Sequence, residues 1–155
     1  MLKKIILSAG LCSLSVCVAQ SQVFSENEER EFESACTRLA DEYIAIMRDM
    51  RRLDSSSELT KRIEQLFSED FVLIMRVGNV EITRANLFEG LRQASKEHPL
   101  VLMESERLVA CSVKDRCFYI RYQIIDGEEE RVYKAFEIVT SKNGIHIDKA
   151  EIFLG

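Results

Sequence analysis

The last third of the chain, Leu100 to Gly155, alternates strand-length apolar runs with short polar turns, and it limits the fold more than any other stretch. Four strands are predicted: Val101–Val113, Cys117–Ile125, Arg131–Thr140 and Ile145–Leu154. Lys-Asp, Asp-Gly-Glu-Glu-Glu and Ser-Lys-Asn-Gly separate them, residue types that adopt turn conformations at little cost. An antiparallel meander of this kind has an apolar face that must be covered. Every helical pattern lies upstream of it. The expected order is therefore helices first, then a sheet that wraps on them: an α+β fold.

The upstream patterns are regular. Ser25 with Glu28 three residues on forms a capping-box signature. Behind it Phe32, Cys36, Leu39, Tyr43, Met47, Met50 and Leu53 recur at helical steps, the stripe of one long helix. Its other side, with Glu31, Arg38, Asp41, Arg48 and Arg51, reads as solvated. Ser55 with Glu58 starts a second helix that buries Leu59, Ile63, Leu66 and Phe67. Phe71–Met75 reads as a strand, and Gly78-Asn79 turns it back into Val80–Ile82. Thr83 caps a third helix that runs to about Lys96, burying Leu87, Phe88 and Leu91. His98-Pro99 ends it.

The N-terminus has a separate role. Lys3-Lys4 precedes an apolar run from Ile5 to Ala19, and Cys17-Val18-Ala19 offers small residues for cleavage. That is the pattern of a secretory signal peptide over residues 1–19, leaving one domain over 20–155, periplasmic or secreted. Leu14-Ser15-Val16-Cys17 approaches a lipobox, and an uncleaved anchor is a further alternative; only an uncleaved or lipidated N-terminus would involve a membrane. With Lys3 and Lys4 removed, 19 basic residues face 26 acidic ones, a net charge of −7. An acidic domain without a basic stripe is a poor nucleic-acid binder. Cys36, Cys111 and Cys117 remain, an odd count that allows one disulfide and a free thiol, or none. A bridge between Cys111 and Cys117 depends on the hairpin register. Buried, unpaired thiols are the simplest expectation.

Two local patterns carry a resemblance. Leu66-Phe67-Ser68-Glu69-Asp70-Phe71-Val72-Leu73 looks like a helix end running into a first strand, and Val80-Glu81-Ile82-Thr83-Arg84-Ala85-Asn86-Leu87 like a short strand entering a third helix. With the element order, they make residues 28–155 resemble the nuclear transport factor 2-like superfamily, which includes ketosteroid isomerases and SnoaL-like polyketide cyclases. The resemblance implies a cone-shaped α+β barrel: N-terminal helices packed in a strongly curved, mainly antiparallel sheet, whose open end can hold a ligand. In the isomerase branch a helix-borne tyrosine and an aspartic acid form an oxyanion hole, and another aspartate moves the proton. Tyr43 matches the tyrosine. The base position falls on Met75, which accepts no proton. Tyr133 or Glu137 stands nearest to the aspartic acid.

The expected pocket rim is Tyr43, Met75, Tyr122 and Lys134, with Tyr43 the one catalytic candidate. Alternation assigns the sheet faces. Phe118, Ile120, Tyr122, Ile124, Phe136, Ile138, Ile145 and Ile147 are expected against the helices. Arg121, Glu137, His146 and Asp148 are then expected outside, where charge pairs are common and a His-Asp base less so. Tyr119, Tyr133, Ala135, Val139, Ile152 and Leu154 would share that outer face. Tyr119, Arg121, Tyr133, Glu137, His146 and Ile152 are therefore the expected contacts of a homodimer. No cofactor is implied, and no Cys/His spacing suits a metal. The expected function is an exported, non-enzymatic domain that binds a small apolar ligand or a partner protein. The alternatives are a small lyase or isomerase and a periplasmic assembly subunit.

Overall fold

The computed structural model describes residues 25–52, 56–97, 100–102, 107–126 and 131–155. The signal-peptide pattern, Leu53, Ser55, His98-Pro99 and the acidic turn at 127–130 lie outside those residues. The first helix, α1, spans Glu26–Arg51. The capping box at its start is formed: the Ser25 hydroxyl accepts from the Glu28 N–H, and the Ser25 N–H donates to the Glu28 carboxylate. The stripe read from sequence is buried from Phe32 to Met50.

The second helix, α2, spans Ser57–Leu66 and is capped by Ser56 rather than Ser55, because the Ser56 Oγ accepts the Leu59 N–H at 3.2 Å. The chain passes from it directly into β1, Phe67–Met75, four residues earlier than the apolar run suggested. Phe67 is fully buried, and polar Ser68-Glu69-Asp70 is where the strand's register shifts. A turn with left-handed Gly78 and Asn79 leads into β2, Val80–Thr83. Thr83 makes no side-chain cap; a single 3-10 turn, Arg84–Asn86, intervenes before α3, Leu87–Glu97. The expected strand Val101–Val113 is two strands, β3 (Leu100–Leu102) and β4 (Arg107–Ser112). Then come β5 (Cys117–Asp126), β6 (Arg131–Thr140) and β7 (Ile147–Leu154).

The strands form one curved mixed sheet in the order β2-β1-β7-β6-β5-β3, with β4 also on β5. All pairings are antiparallel except β1 with β7. The core lies between the concave face and the helices. Tyr43, Met47 and Met50 from α1 meet Leu73, Phe118, Ile120 and Ala150 there.

The register of β6 corrects the expected faces. Ile120 pairs with Glu137, Tyr122 with Ala135 and Phe118 with Val139, so these residues share the inner side. Phe136 instead pairs with Arg121 and Phe153, on the outer side. Glu137, Ala135, Val139 and Ile152 are therefore buried, and Tyr133 and Leu154 pack against the core. The physical reason is that β6 is apolar in both phases, so alternation alone does not choose its face. A one-residue change of register turns over every side chain of a strand. Ile145 is also corrected: it lies in the β6–β7 turn, 59% exposed.

The thiols differ from the simplest expectation as well. Cys36 of α1 and Cys111 of β4 form a disulfide with their Cα atoms 6.4 Å apart, and Cys117 is free and buried. Ser112 pairs with Cys117 across the hairpin, which places Cys111 opposite Phe118 instead. Cys111 and Cys117 thus face opposite sides of the sheet.

Candidate functional site

The stripe of α1 presses Tyr43 into the concave face, with its ring edge-on to Phe67 and Phe118 at centroid distances of 5.9 and 6.3 Å. Its hydroxyl donates to Oε1 of Glu137, and both residues are 1% exposed. A carboxylate in this place needs polar company, because burying a charge or an unbonded acid is costly. Tyr122, one strand over on β5, is buried beside the pair, with its hydroxyl near Glu137 and Arg51. The Arg51 guanidinium, on the last turn of α1, lies over the Tyr122 ring at 5.2 Å from its centroid.

The electrostatics follow from burial. Loss of water pushes the Tyr43 hydroxyl well above the ordinary tyrosine range, and the charge of Glu137 and the bond donated to it push further the same way. Burial likewise raises Tyr122, with Glu137 adding and Arg51 opposing. Both phenols are held neutral, as donors rather than bases.

The structure brings Tyr43 and Tyr122 together, and it adds Glu137 from the set expected at the dimer contact. Met75 lies in the same cross-strand row, since Met75 pairs with Ile152 and Ile152 with Glu137. Two strand spacings, about 10 Å, separate its backbone from that of Glu137. Lys134 is exposed on the outer side, opposite Gln123, and takes no part. Arg51 was placed on the solvated side of α1 by sequence. Its one local signal is that it directly follows buried Met50.

The polar set Arg121, Glu137, His146 and Asp148 is not assembled. Glu137 is inside and Arg121 outside. His146 sits in the β6–β7 turn beside Asn143, and Asp148 accepts the Lys142 N–H at 2.8 Å. No His-Asp dyad exists there. Among the described residues no group of three or more His, Cys, Asp or Glu is arranged to hold a metal.

A groove of about 800 Å³ lies elsewhere, outside the cone, between α1 and α2. Thr37, Arg38, Asp41, Glu42, Arg62 and Gln65 line it. Its arginines are engaged: Arg38 donates to the Gly144 carbonyl at 3.2 Å, and Arg62 to Glu42 and Asp49 at 2.8 Å each.

No protein-family model matches the chain, and no curated protein matches it significantly. Solved structures do. A candidate isomerase of the SnoaL-like family from Agrobacterium tumefaciens is 13% identical, with a TM-score of 0.52 over 79% of this chain and 98% of that one. A candidate polyketide cyclase from Sinorhizobium meliloti is 14% identical, with a TM-score of 0.50 over 71% and 92%. A nuclear transport factor 2-like protein of unknown function from Cytophaga hutchinsonii is 9% identical, with a TM-score of 0.50 over 76% and 89%. The chain therefore has the nuclear transport factor 2-like fold, an α+β cone.

Proposed function

We propose that the chain is an exported, non-enzymatic domain that works by protein contact, with a second copy of itself as the first partner, through the outer face of the sheet. The observation that carries this reading is the apolar row on that face. Tyr119 stacks on Phe136 at 5.7 Å, Ile138 and Phe153 flank them, and Val132 is 55% exposed. An apolar patch of this extent on a sheet usually marks a contact, and two-fold pairing sets such a patch against its own copy. Arg121 stands beside Phe136 in the row and is suited to the rim. The Cys36–Cys111 disulfide agrees with an oxidising compartment, and so supports export.

Sedimentation of the chain lacking residues 1–19, at tens of micromolar, tests the reading. A dimer is expected, and Phe136→Glu or Phe153→Lys should give a folded monomer. A monomer of the unaltered sequence would refute the pairing.

One observation favours a second reading, a small-ligand site or a lyase or isomerase of the SnoaL-like or ketosteroid isomerase-like kind. The Tyr43 and Tyr122 hydroxyls and the Glu137 carboxylate gather at one buried spot, with the Arg51 guanidinium over the Tyr122 ring, a polar cluster of the kind that orients a ligand oxygen. Against catalysis stand the burial of Tyr43 and Glu137 and the side chain of Met75, which holds no proton. Native mass spectrometry of the protein from its host's envelope separates the readings, because a retained ligand supports the second. Finding Met1 intact there would instead favour a tethered assembly subunit.

A further inference from the structure

The first third of α1 is attached differently from the rest of the helix. Glu26 to Glu31 are exposed, and the continuous core cluster begins only at Cys36. Phe32 is buried but sits apart from that cluster. Its ring lies under the Arg116 guanidinium at 4.9 Å and against the backbone of Gly144, where an added Cβ would come within 3.4 Å. Arg116 also donates to the Glu28 carbonyl at 3.4 Å, from a turn position with a left-handed φ of 51°. Two turns of the sheet thus meet this segment chiefly at the Phe32 ring, with Arg116 adding a bond to the Glu28 carbonyl. The covalent tie is Cys36–Cys111, which joins residues 75 apart. Its far end is on β4, an edge strand whose register shifts between Leu108 and Ala110.

We propose that Cys36–Cys111 is a redox clamp on this arm. With the bond closed, Glu26–Cys36 is part of the cover of the sheet; with it open, the arm detaches locally while the cone remains folded. Opening takes a dithiol reductant. The reductant supplies two electrons and two protons, the S–S bond breaks to two thiols, and the reductant closes to a cyclic disulfide. Cys117 does not serve as a resolving thiol, because it lies on the other face of the hairpin with its sulfur 3.5 Å from the Tyr119 hydroxyl. Segments with few buried apolar contacts open at lower free energy than the core, and before Cys36 this arm has one fully buried apolar residue, Phe32, and half-buried Ala35.

The three thiols provide the test. The chain lacking residues 1–19 is reduced with a dithiol, freed of reductant and alkylated in increasing urea below its unfolding transition. Local opening exposes little surface and so responds weakly to denaturant, whereas global unfolding follows the full m-value. Cys36 and Cys111 should alkylate at rates that barely change with urea, while Cys117, buried at the start of β5, follows the full slope. Phe32→Ala in the reduced chain should speed alkylation of Cys36 by at least about tenfold and leave Cys117 unchanged. A common urea slope for all three thiols would overturn the proposal, since the bond would then only stabilise the whole fold. Loss of the far-ultraviolet dichroism on reduction would overturn it in the same way.

Discussion

The hydroxyl of Tyr43 donates to the carboxylate of Glu137 across 94 residues of sequence, and it joins the long helix to the third strand of the meander deep inside the cone. Removing either group leaves its partner buried without its bond, which costs more than a made bond contributes. Tyr43→Phe should lower stability by about 1–3 kcal/mol in urea unfolding. A double-mutant cycle with Glu137→Leu, which removes the acceptor, should give a clear coupling energy; additive losses would mean that the bond does not form in solution.

The same burial sets an alkaline limit. The folded-state values of Tyr43 and Tyr122 are raised, so the folded state holds these protons more tightly than the unfolded chain. Their contribution is complete below the unfolded tyrosine pKa of about 10 and is lost as pH rises above it. Stability should therefore fall above about pH 10. Phenolate absorbance should show both residues ionising together with unfolding. Ionisation of all four tyrosines ahead of the dichroism change would contradict this.

Face assignment is open to a direct comparison. Phe118 is fully buried, whereas Phe136 is half-covered on the outer side. Phe118→Ala should cost about 3–5 kcal/mol, the range for emptying a buried phenylalanine site. In the monomer Phe136→Ala should cost about 1 kcal/mol, chiefly its stacking on Tyr119. Equal losses in denaturant midpoints would return Phe136 to the interior.

Thiol counting checks the disulfide. Denatured without reductant, the chain lacking residues 1–19 should titrate one thiol, Cys117, and after reduction all three. Three thiols before reduction would show that Cys36 and Cys111 do not pair.

The capping box gives a smaller effect. Ser25→Ala should lower stability by about 1 kcal/mol, measured as a shift in the thermal midpoint. Amide protection should fall mainly in the first turn of α1, where the Ser25 hydroxyl accepts the Glu28 N–H.

These effects divide along the line between what was legible in the sequence and what was not. The box and the stripe of α1 were readable because both are local and the helix is apolar in one phase only. Tyr43 and Tyr122 were placed inside for the same reason. For β6 the sequence offers two apolar sets, Val132, Phe136 and Ile138 or Tyr133, Ala135 and Val139. The choice between them is made by partners on β5 and β7, which no local pattern encodes. Glu137 went to the wrong side with the wrong set. Arg51 was missed because a cation in the last helical turn ordinarily faces water. The Cys36–Cys111 pairing depends on how α1 lies on β4, a tertiary fact absent from cysteine spacing.

The place of β7 in the sheet has a consequence for how the chain assembles. It follows the other described strands in sequence, yet it lies between β1 and β6. A nascent chain ending before Ile147 has a β1–β2 hairpin on one side, a β3–β6 sheet on the other, and nothing to join them. Such non-local pairing is slow to form and leaves strand edges exposed meanwhile. The cone therefore closes only once the segment 147–154 has joined both halves. Proteolytic loss of residues 147–155 would remove the whole of β7. It would split the sheet at its middle instead of trimming an edge.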